Sequence, residues 1–233
     1  MTKPSVSLTQ KQYKLNLKNK SLDENLESVL SIRYLWYFFG EKGDNLMRKL
    51  IMWNVITLDG YFEGETNWDL SFHGLVWGKE LEEFSLTQLR SADILVFGAK
   101  TYQGMADYWT NAPENEGEVA KFMNEIPKLA CSTTLSSATW KNTTITKDAV
   151  SEVTKLKKEG SGDMFVFGSG ILSTSLMKAG LFDEFRICIA PVFLGKGRRL
   201  FLNEIPNKEL KLTETKPLST GGVVLSYVPK EQT

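Results

Sequence analysis

The stretch Met164-Phe165-Val166-Phe167-Gly168-Ser169-Gly170-Ile171-Leu172 places two glycines between two apolar segments. Its first four residues are apolar and predict a buried strand, and two closely spaced glycines follow directly. Ile171 to Ala179 then predicts a helix that Gly180 ends. A strand that passes through a glycine turn into a helix is typical of a parallel α/β sheet.

The same order recurs from Met47 onward. The predicted strands are Lys49 to Ile56, Asp93 to Phe97, Lys128 to Cys131, Met164 to Phe167 and Asp183 to Phe193. The predicted helices are Gly78 to Arg90, Thr101 to Tyr108, Glu118 to Glu125, Asp148 to Lys158 and Ile171 to Ala179. Two late runs, Glu209 to Thr215 and Val223 to Val228, predict an antiparallel pair joined through Gly221 and Gly222. We therefore expect a three-layer α/β fold, with a mixed, mainly parallel central sheet, helices on both faces and antiparallel C-terminal edge strands.

The composition excludes several classes of partner. Lys and Arg total 28 and Asp and Glu total 28, so the net charge is zero and no basic excess attracts nucleic acid or an anionic membrane. The most apolar early stretch, Tyr34 to Phe39, is far shorter than the roughly 20 residues of a membrane-spanning helix. We therefore expect a small-molecule substrate, no nucleic-acid partner and no membrane partner.

The few cysteines and histidines predict neither disulfides nor a metal site. Cys131 and Cys188 lie in apolar runs, where cysteine usually behaves as a small buried residue. His73 is the single histidine, so no zinc cluster of the usual spacing can be assembled. This usage fits a reducing compartment, and we expect a cytoplasmic protein.

Residues 1–46 differ from the rest and are expected to form a poorly ordered N-terminal extension to a domain that covers 47–229. They are polar and show weak apolar periodicity, although Asp23 to Leu35 could form a short helix. One interpretation is a poorly ordered segment, or upstream sequence wrongly joined to a chain that starts at Met47. The other is a helix that packs on the domain through Trp36, Tyr37 and Phe38.

Four predicted strand ends carry residues that suit a ligand, and open sheets bind ligands at this edge. The four segments are Thr57-Leu58-Asp59-Gly60, Gly98-Ala99-Lys100-Thr101, Ser132-Thr133-Thr134 and Gly168-Ser169-Gly170 with Leu172. Thr101 is expected to cap a helix whose free N–H groups suit a phosphate. Each segment alone also fits an ordinary turn, and hydroxyls such as those after Cys131 often only satisfy loop backbone groups. Together at one sheet edge, they predict a nucleotide cleft.

Four segments resemble the corresponding motifs of the dihydrofolate reductase superfamily: Thr57 to Gly60, Leu95 to Thr101 with Trp109, Ser132 to Leu135, and Phe165 to Leu172. More specifically, Gly180 to Phe185 and Ala190 to Gly197 resemble the reductase domain of bacterial riboflavin biosynthesis, the C-terminal domain of deaminase–reductase proteins. The resemblance covers Met47 to Val228. It implies NADPH as cofactor, hydride transfer to a small heterocyclic substrate, and a homodimer. A zinc deaminase domain often accompanies that reductase, but residues 1–46 contain neither Cys nor His.

The resemblance also implies roles for individual residues. The cofactor would be bound by Gly98, Ala99, Lys100, Thr101, Ser132, Thr133, Gly168, Ser169, Gly170 and Leu172. The substrate would meet the nicotinamide at Asp59 and Gly60, beside Thr57, and Asp59 is the predicted catalytic group. Trp109 is the tryptophan most expected in the cleft.

Other residues keep two interpretations each. His73 lies in the loop from Trp68 to Trp77, where a lid is expected, but a lone loop histidine is usually polar surface. Glu80, Glu82 and Glu83 occupy a helix that in folate reductases carries a carboxylate, yet acidic residues near a helix start usually complement its dipole. The basic loop Lys196 to Arg199 would bind a substrate phosphate or be solvated.

The function predicted from the sequence is therefore an NADPH-dependent reductase similar to 5-amino-6-(5-phosphoribosylamino)uracil reductase. One alternative is a reductase of the same fold that acts on dihydrofolate, a pterin or another imine or carbonyl. Another is a nucleotide-binding module without turnover.

Overall fold

The computed structural model describes residues 48–112 and 116–230. The predictions for the N-terminal extension lie outside these residues. The strands are β1 (Leu50–Thr57), β2 (Tyr61–Glu63), β3 (Ala92–Gly98), β4 (Lys128–Cys131), β5 (Thr143–Thr146), β6 (Asp163–Phe167), β7 (Glu184–Ala190), β8 (Arg198–Arg199), β9 (Leu210–Pro217) and β10 (Val223–Pro229). The helices are α1 (Lys79–Ser91), α2 (Ala99–Thr110), α3 (Gly117–Glu125), α4 (Ala149–Leu156) and α5 (Gly170–Lys178), with a 3₁₀ helix at Ser71–Leu75.

Eight strands form one sheet in the order β5-β4-β3-β6-β1-β7-β10-β9. The pairs from β5 to β7 are parallel, and β10 is antiparallel to both β7 and β9. A separate two-stranded sheet pairs β2 with β8. The mainly parallel sheet with antiparallel C-terminal edge strands is the fold that the sequence predicts.

Helices cover both faces of the sheet, because alternate residues of the buried strands face opposite sides. Ile51 and Trp53 of β1 belong to the core that includes residues of α1, α2 and α3. Leu50 and Met52 of the same strand belong to the core that includes residues of α4 and α5. No helix in the described ranges has the length and apolar character needed to cross a bilayer.

Several elements differ from the sequence prediction. Strand β7 ends at Ala190 instead of continuing to Phe193, whose side chain is 74% exposed. The short strands β2, β5 and β8 are not predicted, because a strand of two to four residues, such as Thr143–Thr146, is too brief to show a clear alternation. Strand β7 lies between β1 and β10, and the two edge strands of the sheet are β5 and β9.

An ion pair between the buried Lys157 and the partly exposed Asp183 joins three elements at the amino-terminal edge of the sheet. The carboxylate of Asp183, just before β7, accepts a hydrogen bond of 2.7 Å from Leu50 N at the start of β1. It also pairs with the ammonium group of Lys157, which follows α4 and donates to Leu181 O at 2.8 Å. Because Lys157 is buried, loss of its counter-ion leaves a charge that water does not solvate.

We predict that Asp183→Ala lowers the free energy of unfolding by about 2 kcal/mol, since it leaves the Lys157 ammonium and the Leu50 N–H without a carboxylate partner. Urea unfolding followed by circular dichroism measures this change. The matched control is Glu204→Ala, which breaks the exposed pair Lys178–Glu204 and is expected to have little effect. Equal effects of the two substitutions would contradict the role of Asp183.

Candidate functional site

A cavity of about 1350 Å³ lies at the carboxyl ends of β1, β3, β4 and β6. All ten predicted cofactor residues line it: Gly98, Ala99, Lys100, Thr101, Ser132, Thr133, Gly168, Ser169, Gly170 and Leu172. The volume exceeds the roughly 300–1,000 Å³ typical of a site for one small ligand. The cavity therefore has room for two ligands side by side.

The turn from β3 into α2 presents open backbone donors to this cavity. Helix α2 begins at Ala99 directly after Gly98, and no side chain of the described residues caps it. The first N–H groups of a helix have no partner within the helix, so these suit an anion. The prediction that Thr101 caps the helix is wrong, because the strand runs into the helix without a loop and Thr101 becomes its third residue.

The turn from β6 into α5 has an unusual backbone. Gly168 and Ser169 both have positive φ, at +59° and +58°. Ser169 caps α5, since its Oγ accepts a hydrogen bond of 3.4 Å from Leu172 N. A non-glycine residue in the left-handed region is uncommon, and such conformations often mark ligand sites.

The two turns touch each other. A Cβ atom at Gly98 would lie 2.2 Å from Ser169 Oγ, and one at Gly168 would lie 3.1 Å from Thr101 Cγ2. Side chains larger than hydrogen are therefore excluded at Gly98 while the turn at Ser169 keeps its position. This contact places the amino termini of α2 and α5 side by side at the cavity.

Asn54 supports the second turn, and the sequence analysis did not single it out. Its Oδ1 accepts a hydrogen bond of 2.8 Å from Gly168 N, where β6 leaves the sheet. Asn54 lines the cavity, is 6% exposed, and its Nδ2 has no partner among residues 48–112 and 116–230. A polar residue inside the apolar run Leu50–Thr57 was the signal that would have found it.

The hydroxyl-rich segment Ser132 to Thr134 after β4 serves two purposes. The Ser132 hydroxyl accepts from Thr134 N at 3.1 Å and Leu135 N at 2.9 Å, so it satisfies the loop backbone. Thr133 is exposed and lines the cavity, as do the exposed side chains of Lys100 and Lys147. This side of the cavity thus combines a hydroxyl with two positive charges.

The predicted substrate residues Thr57, Asp59 and Gly60 lie outside the cavity lining. The Asp59 carboxylate accepts from Thr57 Oγ1 at 2.6 Å, Gly195 N at 2.8 Å and Leu194 N at 3.2 Å. The Thr57 hydroxyl and these backbone N–H groups lower the pKa of Asp59 to about 2. The geometry gives Asp59 the task of fixing the loop after β7 to the end of β1; its catalytic role stays a prediction.

The basic loop contributes two residues to the cavity, Arg198 and Arg199. Arg198 pairs with the buried carboxylate of Glu63 at 3.1 Å, and Arg199 lies 4.7 Å from the ring centre of Tyr61. Lys196 is outside the lining and pairs with Glu65 at 2.5 Å. Both arginines are thus held by the small β2–β8 sheet.

The segment between β2 and α1 forms an aromatic wall. Trp68 and Trp77 from this segment line the cavity together with Trp53 and the predicted Trp109. Trp68 has φ +66°, and its ring packs so closely on α2 that a Cβ at Gly104 would lie 2.3 Å from it. The carboxylate of Glu63 accepts a hydrogen bond from Trp68 N and stabilises this conformation.

The acidic residues of α1 take no part in the cavity. Glu80 accepts from Ser219 N at 2.8 Å and Ser219 Oγ at 2.6 Å, and these bonds lower its pKa. Glu82 and Glu83 are exposed, and none of the three lines the cavity. Helix α1 contributes four other residues to the cavity lining: Leu81, Ser85, Gln88 and Leu89.

His73, by contrast, lines the cavity. Its Nε2 is buried and has no hydrogen-bond partner among the described residues. Burial lowers the pKa of His73 to about 4, so the imidazole is neutral near pH 7. Within the described part of the chain, no group of His, Cys, Asp and Glu residues has the arrangement of a metal site.

The fold is that of a dihydrofolate-reductase-like domain. Dihydrofolate reductase from Enterococcus faecalis complexed with NADP(H) superimposes with a TM-score of 0.56 at 14% identity, over 78% of this chain and 97% of that one. A putative riboflavin biosynthesis protein from Shewanella sp. PV-4 superimposes with a TM-score of 0.64 at 18% identity, over 79% of this chain and 100% of that one. At these identities the likeness establishes the fold.

The chain belongs to the RibD C-terminal domain family, whose model matches residues 48–224. It is 30% identical over 190 residues to the uncharacterized protein YyaP from Bacillus subtilis (strain 168). The aligned residues cover 77% of this chain and 94% of YyaP. The resemblance noted from the sequence is thereby confirmed at the level of family and fold.

The depressed pKa of His73 predicts a pH dependence of stability. The unfolded histidine binds its proton near pH 6.5 and the folded one near pH 4, so stability is present above pH 6.5 and is lost as pH falls toward 4. We expect a loss on the order of 2 kcal/mol between pH 7 and 4.5 that is absent in His73→Gln. Urea unfolding at each pH measures it. Ser71→Ala, in the same 3₁₀ helix, should keep the dependence, and an unchanged profile in His73→Gln would contradict the burial.

Proposed function

We propose that this chain is an NADPH-dependent reductase that transfers hydride to a small heterocyclic substrate, similar to 5-amino-6-(5-phosphoribosylamino)uracil reductase. The observation that carries the proposal is the pair of touching turns at Gly98 and Ser169, which places two helix amino termini at one cavity. Two helix termini side by side suit the two phosphates of a dinucleotide. The family supports a reductase, and the substrate is proposed from the same resemblance.

The residues at these turns fit a dinucleotide on physical grounds. The uncapped start of α2 offers backbone donors. Glycines at positions 98 and 168 let the two turns pack closely on each other, and Gly170 lets the start of α5 approach the backbone of Leu200. Thr133, Lys100 and Lys147 would hold the phosphate that distinguishes NADPH from NADH. When bound, NADPH would supply the hydride.

The order of the strands gives the cavity two ends. The phosphate-binding turns follow β3 and β6, whereas the 3₁₀ helix Ser71–Leu75 packs against β7. Strands β6 and β7 flank β1, so they are about 10 Å apart at the usual spacing of neighbouring strands. We therefore assign the cofactor phosphates to the β3–β6 end and the heterocycle to the β7 end.

The protein's own contribution is positioning and the exclusion of water. Asn54 holds the Gly168 turn, and Glu63 fixes both Trp68 and Arg198 at the cavity wall. Rigid placement of two reactants side by side accounts for much of the rate in such reactions. The wall between β2 and α1 shields the reacting atoms from solvent.

Tryptophan fluorescence and NADPH absorbance test the proposal. NADPH is expected to quench the fluorescence of Trp53, Trp68, Trp77 and Trp109, and more strongly than NADH at equal concentration. A screen of ribosylaminopyrimidine phosphate, dihydrofolate and dihydropterin is expected to find one substrate that oxidises NADPH. No response to either cofactor would contradict the proposal, and binding without oxidation of any substrate would favour a nucleotide-binding module without turnover.

Gly98→Ala is expected to raise the Kd for NADPH at least tenfold, because its Cβ would collide with Ser169 Oγ and separate the two turns. Gly74→Ala is the matched control: Gly74 lines the β7 end of the cavity, away from the two turns, and a Cβ there has nothing within 4 Å. The control is expected to bind NADPH as the unchanged chain does. Equal Kd values for NADPH in Gly98→Ala and Gly74→Ala would mean that the cofactor does not bind at the two turns.

Asp59→Asn separates the two roles of this carboxylate. If Asp59 acts on the substrate, kcat/KM falls at least tenfold while Tm stays the same. If it only fixes the loop at Leu194 and Gly195, Tm falls and kcat/KM changes little in the folded protein. The bonds to both carboxylate oxygens lead us to expect the second result, measured by thermal unfolding and steady-state kinetics.

A further inference from the structure

Three buried side-chain nitrogens lack a hydrogen-bond partner in the ranges 48–112 and 116–230, and they belong to Arg48, Asn54 and His73. Asn54 and His73 line the same cavity. A buried polar atom without a partner destabilises the folded protein, because water no longer solvates it. A ligand that supplies the partner removes this cost, so unpaired atoms beside a cavity indicate which groups bind the ligand.

The backbone around His73 is fixed at the β7 end of the cavity. Val76 N and Trp77 N donate to His73 O at 3.1 and 3.0 Å, and Thr220 Oγ1 donates to Val76 O at 3.2 Å. The 3₁₀ helix packs against β7, two strands away from β6. The imidazole therefore belongs to the end opposite the phosphate-binding turns.

The surroundings of His73 favour a flat, uncharged ligand. The Phe72 ring meets the imidazole edge-on at 4.9 Å, and Leu70, Trp77 and Leu81 line the cavity with it. Of the charged residues in the lining, Lys100 and Lys147 follow β3 and β5, at the other end of the cavity. Glu63 pairs with Arg198, Arg199 lies over the Tyr61 ring, and Glu116 accepts from Tyr108 OH at 2.6 Å. A planar ring can pack on such aromatic side chains while its polar edge meets the imidazole.

We propose that His73 recognises the substrate. Its imidazole donates a hydrogen bond to, or accepts one from, a ring nitrogen or carbonyl group of a planar, uncharged nitrogen heterocycle of the pyrimidine or pterin kind. A neutral imidazole has one donor and one acceptor nitrogen, so it can pair with either kind of ring atom. This inference rests on the proposed reductase function and names the group that the β7 end of the cavity recognises.

Because the chain has a single histidine, one imidazole signal reports on this contact without further assignment. The experiment is a long-range ¹H–¹⁵N spectrum of untagged, ¹⁵N-labelled full-length protein saturated with NADP⁺, to which 5-aminouracil is added. We expect the Nε2 resonance to move by more than 1 ppm on saturation with 5-aminouracil. NADP⁺ alone is expected to move it much less. Saturable binding that leaves the imidazole resonances in place would overturn the role of His73, and absence of binding at millimolar 5-aminouracil would overturn the substrate class.

Two substitutions distinguish recognition from a structural role. His73→Phe keeps an aromatic ring but removes both nitrogens, so we expect the Kd for 5-aminouracil to rise at least tenfold. We expect its Tm to stay the same or rise, because the unpaired buried nitrogen is gone. His73→Gln keeps a hydrogen-bonding group and is expected to change the Kd less than threefold. Ser71→Ala, in the same helix and outside the cavity lining, should match the unchanged chain.

The Kd for NADPH separates this inference from the proposed function. It is expected to be the same in all three variants and in the unchanged chain. If NADPH binds and is oxidised but His73→Phe binds 5-aminouracil normally, the role of His73 is wrong and the reductase stands. If NADPH does not bind at all, the proposed function itself fails.

Discussion

The turns at Gly98 and Ser169 touch each other, and this contact holds the amino termini of α2 and α5 together at the cavity. Strands β3 and β6 are neighbours, so the helices that follow them start close together. Only hydrogen fits at position 98, because a Cβ there would lie 2.2 Å from Ser169 Oγ. Asn54 stabilises the left-handed backbone at Gly168 and Ser169. Its side-chain amide oxygen accepts the hydrogen bond from Gly168 N in place of a carbonyl group of a neighbouring strand. A strained turn is maintained in this way by a buried polar residue.

The strand order then divides the cavity by chemistry. The β3–β6 end has backbone donors, hydroxyls and exposed lysines, whereas the β7 end has Trp77 and the neutral imidazole of His73, on which Phe72 packs. Glu63 connects the aromatic wall to the basic loop, because its carboxylate accepts a hydrogen bond from Trp68 N and pairs with Arg198. A charged, elongated ligand suits the first end and a flat ring the second. Such an arrangement matches a dinucleotide and a heterocycle that meet over β1.

The sequence predicted the sheet and its glycine turns because both depend on local patterns. The apolar run Met164–Phe167 followed by two glycines is a local signal. Gly180, which ends the helix that follows, is another. Asp59 was selected because Asp-Gly follows a strand, but its carboxylate is engaged by Leu194 and Gly195, far away along the chain. For the same reason the sequence did not single out Asn54 and left two interpretations of His73: whether a polar atom has a partner depends on residues distant in sequence. Sequence patterns locate the edge of the sheet, and tertiary contacts decide which side chains face the ligand.

Hydrogen exchange with and without NADPH, followed by mass spectrometry, shows whether the two touching turns hold the cofactor. When NADPH is present, we expect exchange to slow in peptides that cover residues 97–102 and 166–173. Peptides from β9 and β10, which lie at the far edge of the sheet, are expected to exchange at the same rate with and without NADPH. Unchanged exchange at both turns under saturating NADPH would mean that the cofactor does not bind there.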